Sequence, residues 1–303
     1  MKTLRVLAPI VAMCAFLPVY AGTVEGNDIV DASETLAVNL PENVRVIRDV
    51  SYGENALQRF DVYVSKEATG PAPVIFMVHG GGWRRGDKAM DRVVENKVAR
   101  WVPKGFIFIS ANYRLLPDAD PMTQAQDVAK ALAAAQALAP RWGGVASKFI
   151  LMGHSAGGHL VDLLGADPRL AYAQGAQPWL GTISLDAGAI NVVDVMENPH
   201  APLFDNAFGT DPDYWKQVSP HHALRFGATP FLLICSQARQ RESLNVLKFM
   251  LKARSLGVSA EFLPEDLTHG EINYTLGLEN DYTLDVEDFM GGLDPLVKWR
   301  LKQ

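Results

Sequence analysis

Cysteine is almost absent from this chain: 303 residues contain only Cys14 and Cys235. The first falls in an N-terminal stretch that is expected to be removed. No internal disulfide can then form, and an apolar core must hold the fold. Basic charge is also short, with 28 Lys and Arg against 34 Asp and Glu and a net charge of −6. That leaves no cationic footprint for nucleic acid, which is not expected as a partner. No apolar run reaches the roughly 20 residues that a membrane-spanning helix needs. Repeats, low-complexity tracts and interdomain linkers are missing too. What remains is 48% hydrophobic and 20% charged, a balance that excludes a disordered chain and fits a globular one.

Residues 1–21 read as a secretory leader. Lys2 and Arg5 supply the positive start, Val6 to Leu17 an apolar stretch broken by Pro9, and Val19-Tyr20-Ala21 a cleavage site before Gly22. Met13 precedes Cys14, where a lipoprotein signal would carry a small residue, so no stable membrane anchor is expected. The mature chain, residues 22–303, keeps 34 acidic against 26 basic residues. It is expected to be exported to the periplasm or the medium as one catalytic domain.

Alternating apolar and polar residues at 44–47 and 59–64, with a turn at 51–55, predict an antiparallel hairpin with one solvated face. The pattern then changes to short, nearly continuous apolar runs at 74–78, 106–110, 149–152, 182–185 and 231–235. Such runs suit strands buried on both faces of a parallel sheet. Helical stretches at 88–102, 121–139, 156–165 and 242–256 separate most of them, a last strand fits 259–263, and a closing helix fits 285–301. Strands alternating with helices imply a doubly wound, mostly parallel α/β sheet. Residues 187–222 are rich in Pro, Asn, Asp and aromatics and too long for a plain connection. They are expected to form a lid or pocket wall.

Gly153-His154-Ser155-Ala156-Gly157 fits G-x-S-x-G between a predicted strand and a predicted helix, the setting of a nucleophile elbow with Ser155 at its tip. Some 75 residues earlier, His79-Gly80-Gly81-Gly82-Trp83 follows another strand. Acyl transfer needs backbone N–H groups aimed at a developing oxyanion, and Gly81, Gly82 and Ala156 are the candidates. No Gly-Lys-Ser/Thr follows the glycines, which excludes a P-loop. His79 is expected to be a buried orienting residue. Among the seven histidines, only His269, after the last predicted core strand, has the chain order of the base in a Ser–acid–His series.

With Asn112-Tyr113-Arg114-Leu115-Leu116-Pro117 and Thr268-His269-Gly270, these segments resemble the hormone-sensitive-lipase-like esterases. The similarity is strongest to their compact bacterial carboxylesterase and arylformamidase branch, and it covers roughly Asn43 to the C-terminus. It implies an α/β-hydrolase fold, hydrolysis of small to medium carboxylic esters, and no metal or cofactor. The family's acid follows the penultimate core strand, but residues 235–243 offer only Glu242, where a helix should begin and where a carboxylate offsets the helix dipole. The other candidate is Asp186, one strand earlier, an arrangement that resembles pancreatic-type lipases. Asp186 is slightly preferred. Arg239 and Arg241 are candidates for an acidic substrate group or for plain surface charge, and Asp127 for orienting its helix. Trp83, Trp179, Phe204, Phe208, Tyr214 and Trp215 are candidates for a pocket lining.

The resemblance leaves an arylformamidase-like amidase as an alternative activity. A non-catalytic binding protein on the same fold is the alternative of a different class. Export itself has a direct test. The protein recovered outside the cytoplasm of a producing bacterium should begin at Gly22, read by intact mass; a full-length product retained inside would overturn the leader assignment.

Overall fold

A computed structural model describes residues 39–303; the leader expected at 1–21 lies outside the described residues. Eight strands form one sheet in the order β1-β2-β4-β3-β5-β6-β7-β8. They are β1 (Val44–Ser51), β2 (Arg59–Ser65), β3 (Ala72–Val78), β4 (Ile107–Ala111), β5 (Gly144–His154), β6 (Gly181–Leu185), β7 (Phe231–Ser236) and β8 (Ala260–Glu265). β1–β2 and β2–β4 pair antiparallel, and every later pair is parallel. The doubly wound sheet and its N-terminal hairpin are therefore as the periodicity predicts. One detail differs. β2 lies between β1 and β4, and its five central residues are buried, so within the hairpin only the edge strand β1 has a solvated face.

The apolar runs work because successive side chains point to opposite faces. Val74, Phe76 and Val78 of β3 join one core cluster, and Ile75 and Met77 join the other. Helices α2 (Pro121–Leu138) and α3 (Ala156–Ala166) cover the first face. α1 (Asp91–Trp101) covers the second, together with two C-terminal helices. The expected closing helix 285–301 is in fact these two, α11 (Asp281–Leu293) and α12 (Pro295–Leu301). Pro295 has no N–H to continue the ladder, and Asp294 accepts from Leu296 N–H at 2.8 Å to cap the new helix. The remaining helices are α4 (Arg169–Tyr172), α5 (Val192–Met196), α6 (Pro202–Phe208), α7 (Pro212–Gln217), α8 (Pro220–Ala223), α9 (Gln240–Ser255) and α10 (His269–Tyr274). Four of them, α5 to α8, build the 187–222 insertion. Val192, Val195, Phe208 and Val218 root it in the core, so it is packed onto the domain.

In a parallel sheet all carboxyl ends share one edge, and a crevice opens where the strand order reverses. Here β4 and β5 lie on opposite sides of β3. The loop after β3 and the turn after β5 therefore meet at that crevice. Their closeness demands glycine at two positions. A Cβ on Gly157 would lie 2.3 Å from the Val78 carbonyl oxygen, and one on Gly80 would lie 2.9 Å from Ser155 Cβ. Gly157→Ala should cost at least 1–3 kcal/mol, as overpacking does, read as a lowered urea midpoint. An unchanged midpoint would show that the contact can relax.

Candidate active site

Ser155 is the last residue before α3, with φ 55° and ψ −118°. This strained conformation turns the chain sharply from strand to helix. Backbone bonds fix it: Ser155 N–H donates to the Leu185 carbonyl at 3.1 Å, and Ser155 O accepts from Gly188 N–H at 2.8 Å and from His159 N–H at 3.0 Å. The glycine loop runs beside it, with φ of 127° at Gly81 and 60° at Gly82. Among the described residues, no backbone carbonyl accepts from the N–H groups of Gly81, Gly82 or Ala156. These donors remain free for a ligand.

The loop is braced from several sides. His79 is buried, stacks on Tyr113 at 4.6 Å and meets the Gly80 carbonyl through Nδ1 at 2.8 Å, in keeping with an orienting role. Trp83 has φ 59°, and its carbonyl accepts from Leu116 N–H and Gln124 Nε2. The Trp83 indole N–H donates to His159 Nδ1 at 3.2 Å, and His159 Nε2–H in turn donates to the Val218 carbonyl at 2.7 Å. Glycine loop, elbow helix and insertion are thereby tied through one neutral imidazole. Phe204 and Phe208 pack on Trp83 at 5.8 and 4.9 Å. Tyr214 and Trp215 pack partly buried against the same core. Trp179 belongs elsewhere, bonded to Thr182 at the opposite end of β6.

His269 opens α10, whose start is closed by a reciprocal cap between Thr268 and Glu271. The other end is docked on α1, where Asn96 Nδ2 donates to the Tyr274 carbonyl and Lys97 Nζ to that of Asn273. Burial without a carboxylate partner pushes the Lys97 ammonium down to about 7. His269 Nδ1 donates to Asp186 Oδ2 at 2.6 Å. The side chain of Asp186 is fully buried, with backbone φ 46°. Burial alone would raise its pKa, but the His269 hydrogen bond and the Arg239 charge outweigh that and hold it well below the carboxylate range.

Of the two carboxylates considered from sequence, the structure joins Asp186 to His269, and Glu242 has no such contact. Glu242 stands in the first turn of α9. Burial raises its pKa, and its Oε2 has no partner among the described residues. Arg239 and Arg241 are not free for a substrate anion. Arg239 Nη1 lies 2.7 Å from Asp186 Oδ1, and Arg241 Nε lies 3.0 Å from Asp194 Oδ2. Asp127 is buried and accepts from Arg114 and Gln58, a brace between α2 and the loop after β4.

Sequence reasoning passed over His154. Its Nε2–H donates to the His269 carbonyl at 2.9 Å, and the two rings lie 4.6 Å apart. Burial, with the neighbouring His269 adding to it, keeps His154 neutral. Its place beside the elbow serine was the available clue. Among the described residues no hydrogen bond within 3.5 Å joins Ser155 Oγ to His269 Nε2, a contact that commonly tightens only with substrate bound. Nor does any group of three His, Cys, Asp or Glu side chains there have metal-binding geometry.

The BD-FAE family model matches residues 60–241, well over half the chain, from β2 into α9. The matched segment holds the glycine loop, the elbow, Asp186 and Arg239, and stops short of His269. Esterase LipC of Mycobacterium tuberculosis is 29% identical over 201 residues, 62% of this chain and 49% of that protein. The versiconal hemiacetal acetate esterase of Dothistroma septosporum is 32% identical over 143 residues, 46% of this chain and 42% of that protein. The chain thus spans less than half the length of these relatives. Among solved structures, a truncated carbohydrate esterase from gut microbiota superposes with a TM-score of 0.72 at 20% identity, over 87% of this chain and 99% of that one. At that identity the likeness is one of fold.

The His159 bridge has a pH signature. Burial pushes this imidazole down to about 4, whereas an unfolded histidine takes up its proton near 6.5. The bridge is intact above pH 6.5, and stability falls by roughly 3 kcal/mol as the pH drops from there to 4. His159→Gln should lose that slope. Urea midpoints of both proteins at pH 7 and 4.5 measure it, and a wild-type-to-variant difference that ignores pH would refute the assignment.

Proposed function

This chain belongs to the BD-FAE family, within the hormone-sensitive-lipase-like α/β-hydrolases, and we propose that it hydrolyses carboxylic esters through an acyl-serine intermediate. The observation that carries the reading is the 2.6 Å bond from His269 Nδ1 to Asp186 Oδ2, at the same sheet edge as an elbow serine. A base oriented by a buried carboxylate is what activates a serine hydroxyl.

In this mechanism Ser155 Oγ attacks the ester carbonyl carbon while His269 Nε2 takes its proton. The carbonyl electrons move to oxygen, where the Gly81, Gly82 and Ala156 N–H groups receive the charge. Asp186 keeps the Nδ1 proton on the imidazole and stabilises the imidazolium. His269 then protonates the departing alcohol as the C–O bond breaks, leaving acyl-Ser155. A water molecule, deprotonated by His269, repeats the attack, and Ser155 recovers its proton as the acid is released. No step calls on a metal or cofactor. The packed insertion supports a pocket wall of fixed depth and hence small to medium esters as substrates. The leader pattern at 1–21 supports action outside the cytoplasm.

A fluorophosphonate probe should label folded wild-type protein at Ser155, and Ser155→Ala should abolish both labelling and turnover of p-nitrophenyl butyrate. Asp186→Asn should lower kcat by about 10³–10⁴-fold, whereas Glu242→Gln should stay within about threefold, as changes that leave the reacting groups in place do. Unlabelled Ser155 would overturn the enzyme reading; the reverse ranking of the two acid variants would overturn the acid.

A further inference from the structure

The loop after β7, where the family resemblance leads one to expect the acid, delivers a cation instead. Arg239, the residue before α9, reaches across to the end of β6. Its Nη1 lies 2.7 Å from Asp186 Oδ1 and 3.3 Å from the backbone carbonyl oxygens of both Asp186 and Ala187. Asp186 Oδ1 also accepts from Ser236 N–H at 3.3 Å, while Oδ2 is left to His269. The carboxylate is thereby divided. One oxygen is engaged by the β7 loop, the other faces the imidazole.

We propose that Arg239 is a positioning residue of the catalytic apparatus, fixing the rotation of the Asp186 carboxylate and setting how strongly its charge stabilises protonated His269. The proposal rests on the acyl-serine reading above. Asp186 sits one strand away from the family's usual place for the acid, on a left-handed backbone with φ 46°, and its carboxylate is held by groups from later segments, Ser236 N–H on Oδ1 and His269 on Oδ2. One nitrogen of the guanidinium, Nη1, adds to that hold by lying against Oδ1 and two carbonyl oxygens at once, and the planar group that carries it is more pre-organised than a flexible lysine stem. Its charge also offsets that of Asp186, so the imidazolium gains less from the pair than it would from a bare carboxylate.

Other groups act on the same pair. His154 comes from the elbow, Cys235 from β7, Glu242 from α9 and Tyr282 from α11; behind them Lys97 of α1 acts on His154, Arg241 on Glu242 and Glu265 of β8 on Tyr282. Lys97 and Arg241 are the other cations; Lys97 donates to the Asn273 carbonyl from α1, and Arg241 pairs with Asp194. Arg239 alone among these cations touches Asp186.

The test is the pH dependence of kcat/KM for p-nitrophenyl butyrate in the wild type, Arg239→Gln and Arg239→Lys. Glutamine removes the charge, leaving the Asp186 anion uncompensated and the imidazolium easier to form. The acid limb should then move to higher pH by about one unit, and kcat should fall at least tenfold. Lysine keeps the charge on a flexible stem without the planar, pre-organised group, so the acid limb should stay in place while kcat falls several-fold. An Arg239→Gln enzyme that is merely less stable, with the wild-type limb and kcat, would overturn the proposal. If that variant does not fold by circular dichroism, Arg239→Lys decides, and wild-type kcat in the lysine enzyme overturns the orienting role. A wild-type protein that neither hydrolyses esters nor labels at Ser155 would instead sink the acyl-serine reading on which the proposal stands.

Discussion

A carboxylate sealed from water must be answered by donors from the protein itself, and Asp186 imposes that demand on everything around it. Its side chain is fully buried at the end of β6. An unpaired charge there would cost several kcal/mol. Three donors from three later segments meet the demand: Ser236 N–H from β7, Arg239 ahead of α9, and His269 Nδ1 at the start of α10. The same contacts that make the charge tolerable draw the ends of β6, β7 and β8 together. Fold and site are thus coupled through one anion, and a loop that drifted would leave that anion unanswered.

A second set of constraints holds the glycine loop. Trp83, His159 and Val218 link it to the elbow helix and the insertion. On its outer side Lys88 lies 2.9 Å from Asp49 and 3.0 Å from buried Asp61, which also pairs with Arg48 at 2.6 Å. The antiparallel hairpin is therefore part of the support for the glycine loop. This gives the buried face of β2 a reason beyond packing: it carries the carboxylate that anchors Lys88.

Much of this was legible in the sequence, for identifiable reasons. Strands buried on both faces show as unbroken apolar runs, so β3, β4, β6 and β7 could be located to within two residues. Sharp turns demand particular residues, so the elbow and the glycine loop announced themselves. Residues 187–222 did not, because α5 to α8 are only four to seven residues long. Such helices are set by tertiary anchoring at Val192, Phe208 and Val218, not by any periodicity. The N-terminal part of β5, from Gly144, was hidden because it lacks the apolar run of 149–152. The acid stayed ambiguous for a deeper reason. Whether Asp186 or Glu242 meets His269 depends on which strand end lies nearer the loop after β8, a distance that local sequence does not encode. Arg239 was visible only as a charge; its partner is 53 residues away in the chain.

Strain follows the same geography. Among the described residues four non-glycine residues have positive φ, and three of them, Trp83, Ser155 and Asp186, belong to the loops that leave β3, β5 and β6. Those strands are neighbours in the sheet. Each such conformation costs of order 1–3 kcal/mol, and persists only where the surroundings over-determine it. At all three residues the backbone groups are spoken for by another element. Trp83 O accepts from Leu116 and Gln124, Ser155 N–H donates to Leu185, and Asp186 N–H donates to Ile234 while its carbonyl accepts from Arg239. Relaxing any one of these residues would break bonds to another part of the chain, so the strain cannot dissipate locally. The result is a set of donors and side chains whose positions are fixed before a substrate arrives, which is the condition under which electrostatic stabilisation of a transition state is most effective.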